Sequence, residues 1–121
     1  MNFREQRDKI KELLLESGLK EVNNSKTKLP DNLPAGIVGL IQRKGDIKVQ
    51  TGYVNMNYGF EIYIVVEDSE TADDELLAFI DTVDDKFQEE LYVDVDNVEI
   101  YDSILNAGGV KIGKFEVILC E

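Results

Sequence analysis

The run Phe60-Glu61-Ile62-Tyr63-Ile64-Val65-Val66 constrains this chain more than any other feature. It alternates with the two-residue period of a strand. Phe60, Ile62, Ile64 and Val66 share one face, and Glu61, Tyr63 and Val65 share the other. A face of four large apolar side chains has to be covered, and two segments are patterned to cover it. Over 72–91, Leu76, Ile80, Val83 and Phe87 recur at helical spacing, with Leu77 and Leu91 widening the stripe. Over 2–17, Phe3, Ile10, Leu13 and Leu14 form a second stripe, and Gly18 is a natural C-terminal stop. Thr71 is expected to cap the second helix, with Asp74 completing a capping box. Asp73, Asp74 and Glu75 suit the positive end of its dipole.

The remaining segments supply further strands. Residues 20–35 are polar, hold both prolines and read as a loop and strap, in which Leu29 and Leu33 anchor to the core. Residues 36–43 read as a first strand, Lys44-Gly45-Asp46 as a turn, and 47–58 as a second strand that can extend outward as a hairpin around 44–58. Residues 60–66 are the third. Val98–Tyr101 and Lys114–Cys120 follow the second helix, separated by an Asn106-Ala107-Gly108-Gly109 turn. The expected fold is a single α+β domain over 1–121 in the order α-β-β-β-α-β-β. It has a mostly antiparallel, twisted sheet of about five strands and both helices on one face.

Composition narrows function. The chain has no histidine, which removes His-based triads, paired-His zinc sites and the commonest general base near neutral pH. Its single cysteine, Cys120, has no internal disulfide partner and reads as a small strand hydrophobe. The net charge of −12 argues against nucleic-acid or anionic-membrane binding, both of which call for a basic face. No run approaches the roughly 20 apolar residues of a membrane span. The opening residues lack the apolar core of a signal peptide, so synthesis in a cytoplasm is expected. Charge is also unevenly placed: residues 1–60 carry 10 basic and 7 acidic side chains, whereas 61–121 carry 3 and 18. Unlike halves of this kind suit head-to-tail contacts between copies.

Few motifs suggest chemistry. Pro30-Asp31 followed by Asp46-Ile47-Lys48 fits the loose pattern of a metal-dependent nuclease, two carboxylates on one divalent ion with a lysine beside the attacking water. An acidic chain lacks the cationic groove such a substrate needs. Asp94-Val95-Asp96-Asn97 opens like a calcium loop. Glu99 and Leu105 occupy the positions where that loop needs glycine and glutamate. Gly108-Gly109 is a turn rather than a phosphate cradle. No nucleophile sits beside a base, so no enzyme, cofactor or metal is expected. A monomeric or dimeric adaptor is the remaining alternative to the nuclease.

Several segments together resemble the tail-terminator, or tail-completion, family of long-tailed bacteriophages and the related minor tail proteins. They are the leading helix ending Leu13-Leu14-Leu15-Glu16-Ser17-Gly18, the loop Lys28-Leu29-Pro30-Asp31-Asn32-Leu33-Pro34-Ala35, the hairpin from Gly36 to Asn57 and the strand Tyr58–Val66. The acidic helix Asp73-Asp74-Glu75-Leu76-Leu77-Ala78-Phe79-Ile80-Asp81 and paired closing strands complete the set. The resemblance implies a homo-oligomer, a hexameric ring in the virion tail or neck. Such a ring caps the finished tail tube, ends its polymerisation and meets the head–tail connector, with no catalytic residues. The resemblance carries over no contact residue; from the unequal charge of the two halves, Arg43, Lys44 and Lys48 of the hairpin are expected to face Asp73, Asp74, Glu75, Asp84 or Asp85 of a neighbouring copy.

Overall fold

The computed structural model describes residues 1–24, 30–48, 53–105 and 108–120, with side chains described over 1–24, 30–45, 56–103 and 109–120. The elements are α1 (Phe3–Glu16), β1 (Glu21–Asn23), β2 (Ala35–Lys48), β3 (Tyr53–Glu67), α2 (Ala72–Leu91), β4 (Glu99–Leu105) and β5 (Gly108–Cys120). The five strands form one sheet in the order β1-β2-β3-β5-β4. The fold is α+β in the expected element order. The sheet is mixed rather than wholly antiparallel, because β1 pairs parallel with β2 through Glu21↔Ala35 to Asn23↔Ile37.

Boundaries differ from the sequence reading in three places. Residues 21–23, read as loop, are β1. Residues 47–58 and 60–66, read as two strands, are the single strand β3 from Tyr53, while 47–48 belong to β2. Lys44-Gly45-Asp46 is not a turn: Lys44 pairs with Asn57, Gly45 with Met56 and Asp46 with Asn55. Local turn preference there is overridden by a ladder that continues on both sides. Residues 49–52, between the two strands, lie outside the described ones, as do Leu29 of the strap and Asn106-Ala107 of the last turn.

Helix α1 starts on a capping box that the sequence reading overlooked. Asn2 Oδ1 accepts the Glu5 N–H at 2.9 Å, and Glu5 Oε1 accepts the Asn2 N–H at 3.4 Å. It ends before Gly18 at φ 105°, a left-handed conformation that glycine takes without steric cost. Helix α2 starts differently from expectation. Thr71 makes no side-chain cap bond, and the Ser69 hydroxyl and carbonyl instead take the Thr71 and Ala72 N–H groups.

The apolar face of β3 carries both helices. Phe60, Ile62, Ile64 and Val66 are fully buried, with Ile10, Leu13 and Leu14 of α1 and Leu76, Ile80, Val83 and Phe87 of α2 in the same core. The Phe3 ring stacks on Phe60 at 5.8 Å, and Phe87 meets Phe115 edge-on at 6.2 Å. Leu91 joins the core, but Leu77 points outward. Two glycines let the helices seat. Gly36 and Gly113 flank Ile64 on either side of the ladder. A Cβ on Gly36 would stand 3.1 Å from Leu19 Cδ1, and one on Gly113 would stand 3.1 Å from Ile80 Cδ1. On the opposite face Ile37, Val65, Val110 and Ile112 form a smaller cluster against which Leu33 of the strap packs. Glu21 pins that strap, accepting the N–H groups of Asp31 and Asn32 at 3.1 and 3.2 Å.

Candidate functional site

Among the described residues, the hairpin leaves the body with unpaired edges. The β2–β3 ladder runs out to Lys48↔Tyr53, yet β1 covers β2 only as far as Ile37, and β5 accompanies β3 only as far as Asn57↔Cys120. Among the described residues, β2 therefore has no strand on its outer side from Val38 to Lys48, about 11 residues or roughly 36 Å of backbone. A register irregularity between Leu40 and Gln42 bends this edge. Leu40, Ile41, Gln42, Arg43 and Lys44 are all exposed along it. Lys48 holds the last described rung of the ladder, and its side chain lies outside the described residues.

The five acidic residues expected opposite this edge all lie on α2, but they do not act as one patch. Asp73 forms an ion pair with Lys111, which also reaches Asp102 at 3.7 Å; this ties the start of α2 to β5 and β4. The Asp73 carboxylate holds the Lys111 ammonium above its ordinary range. Asp84 accepts the Val95 N–H at 2.8 Å and the Gln88 amide at 2.9 Å, so its charge secures the segment after the helix. Asp74 and Asp85 are exposed and Glu75 is half-buried. Asp85 lies about 15 Å along the helix from Glu75.

A second unpaired edge lies on β5. Pairing with β4 begins at Glu99↔Lys114, so from Phe115 to Cys120 no described strand lies on that side of β5. The segment that Asp84 holds, residues 92–98, borders the gap instead. Two adjoining clefts follow it. One, of about 280 Å³, is lined by Asp96, Asn97, Glu99, Lys114, Phe115, Glu116 and Ile118, and carries most of the charge. The other, of about 310 Å³, is more apolar; Met1, Leu91, Tyr92, Val93 and Ile118 face it beside Gln6 and Glu90. Gln6 donates to the Cys120 carbonyl at 3.0 Å, fixing the end of β5 against α1. Ile118 belongs to both clefts and is 57% exposed. Tyr92, beside them, is 89% exposed and adopts φ 57°.

The sequence reading missed this region. Glu116, Ile118 and Cys120 alternate like any half-buried strand, and nothing local marks an edge that β4 fails to reach. The one available signal was a Tyr at the end of an apolar stripe where Gly or Asn is usual.

The other candidates are dispersed. Asp31 lies beside Glu21 at the Ala35 end of β2, whereas Asp46 lies eleven residues farther along that strand, roughly 36 Å away. The pair needed for a shared metal is not assembled, and the side chains of Asp46, Ile47 and Lys48 lie outside the described residues. In the calcium-like segment the Asp96 carboxylate accepts the Asn97 N–H at 2.9 Å. Among the described residues no group of three or more acidic or cysteine side chains is placed to hold a metal ion. Cys120 is a strand residue, the last of β5, and is exposed there. On the face away from the helices, Glu61 is only 5% exposed and pairs with Lys114 at 3.1 Å, which raises the Lys114 pKa. No helix among the described residues is long and apolar enough to cross a membrane. No protein-family model matches the chain, and no curated protein matches it in sequence.

Proposed function

We propose that this chain is a structural subunit that works by assembling with copies of itself, as a ring that caps a phage tail tube, ends its polymerisation and meets the head–tail connector. The observation that supports this reading is the hairpin. An unpaired β2 edge carrying Arg43 and Lys44 extends from a body of strongly negative charge. Bare strand edges invite pairing with another chain, and folded proteins usually blunt them unless they are used. The resemblance in element order and segment pattern to the tail-terminator family supplies the tail, tube and connector. The hairpin itself supports self-association in general.

Two measurements test the reading. Sedimentation velocity of the purified chain is expected to show a discrete oligomer that forms with concentration. Added to polymerising tail tube protein, the chain is expected to shorten the tubes and cap their ends in electron micrographs. A chain that stays monomeric and leaves tube length unchanged removes the proposal.

A further inference from the structure

We infer that the cleft along the unpaired edge of β5, residues 115–120, is the socket in which a second copy of this chain seats its β2 edge, Leu40–Lys44. The inference rests on the self-assembly reading and names the receiving surface, which differs from the α2 carboxylates suggested by sequence.

Three observations carry it. First, both edges lie at one end of the sheet and on opposite sides of it. Leu40 pairs with Phe60, and Phe60 pairs with Val117, so the bare stretches of β2 and β5 flank the same part of β3. One molecule cannot join its own two edges across β3. Each copy instead offers one edge and accepts the other, a heterologous contact that propagates and closes where the rotation permits.

Second, the surfaces match chemically. The β2 edge presents the exposed apolar pair Leu40 and Ile41 next to the cations Arg43 and Lys44. The β5 cleft presents the apolar residues Leu91, Tyr92 and Ile118 next to Asp96, Glu99 and Glu116. A strand laid along 115–120 gains main-chain hydrogen bonds, buries its apolar side chains at Ile118 and Tyr92, and brings its cations to the carboxylates. The lysine in the cleft, Lys114, is already engaged by Glu61 at 3.1 Å.

Third, Tyr92 departs from local preference. A tyrosine held at φ 57° with nearly all its surface in solvent gains little within its own chain. Beside the socket it supplies an aromatic contact to the incoming strand.

A charge exchange between two variants tests the inference. One variant carries Glu99→Lys and Glu116→Lys, so both its cleft and its β2 edge are positive. The other carries Arg43→Glu and Lys44→Glu, so both are negative. Each alone is expected to associate at least tenfold more weakly than the parent in sedimentation velocity, with circular dichroism confirming that each is folded. Mixed in equal amounts, the two are expected to recover parental association, because each edge now meets an opposite cleft. If the parent associates but the Glu99→Lys/Glu116→Lys variant associates equally well, the socket lies elsewhere and self-assembly stands. Failure of the mixture to recover association also overturns the socket. If the parent is monomeric throughout, the socket falls; if it also leaves tail tubes unshortened, the self-assembly reading falls with it.

Discussion

Tyr92 shows how one residue can carry a cost that its own chain does not offset. It closes α2 in the left-handed conformation, where a side chain bearing Cβ is disfavoured, and the Val93 N–H reaches back to the Phe87 carbonyl at 3.4 Å. Tyr92→Gly is expected to stabilise the fold by about 0.5–1 kcal/mol in urea unfolding, by removing that strain. The same change should weaken self-association, since the ring next to the β5 cleft is lost. Glu21 is a second informative residue. The Asn23 amide, then the Asp31 and Asn32 donors, hold its carboxyl below its ordinary 4.5, against partial desolvation. A lowered folded-state pKa stabilises the fold above the unfolded value and stops doing so as pH falls through the folded one. Glu21→Gln is therefore expected to be less stable than the parent near neutral pH. The difference should shrink as pH drops below 4.5, as followed by denaturant unfolding at several pH values.

At the scale of elements, helix–sheet contact depends on the two strand glycines. Gly113 lies where Ile80 and Leu76 of α2 descend onto β5, and a Cβ there would stand 3.1 and 3.3 Å from their terminal methyls. Gly113→Val is expected to cost about 1–3 kcal/mol by overpacking, measured as a lower urea midpoint with an unchanged slope. Both helices and the central strand were legible because each carries its own periodicity, 3.6 or 2, over a long run. The extent of the hairpin was not. Lys44-Gly45-Asp46 has turn chemistry, but β3 provides a partner for every one of its residues. The three-residue β1 was equally hidden, since Glu21-Val22-Asn23 is too short for a pattern and exists only because it pairs with Ala35–Ile37.

For the whole molecule, charge and edge work against each other. A net charge of −12 opposes the approach of copies, and the Arg43–Lys44 edge meeting the β5 carboxylates is the local exception. Two effects of salt then compete: screening weakens the socket contact while relieving the general repulsion. Contact between oppositely charged groups is closer than the mean separation of the bodies, and is screened less. Association of the parent is therefore expected to persist or strengthen as salt is raised from low ionic strength to about 0.15 M, where the Debye length is about 8 Å. The variant with Glu99→Lys and Glu116→Lys should remain weak across that range. Sedimentation at several salt concentrations reads both.

The sequence by itself determined the α+β class, the apolar face of β3, the two covering helices and the unequal charge of the two halves. These are local or additive properties: side-chain period and charge count do not depend on which strands become neighbours. Only the tertiary structure decided which edges stay bare. Whether β1 covers β2 beyond Ile37, or β4 covers β5 beyond Lys114, depends on where distant segments meet, and strand pairing is specified by packing across the sheet rather than within any strand. The β5 cleft, with Tyr92, Glu99 and Glu116 gathered from separate parts of the chain, exists at that level alone.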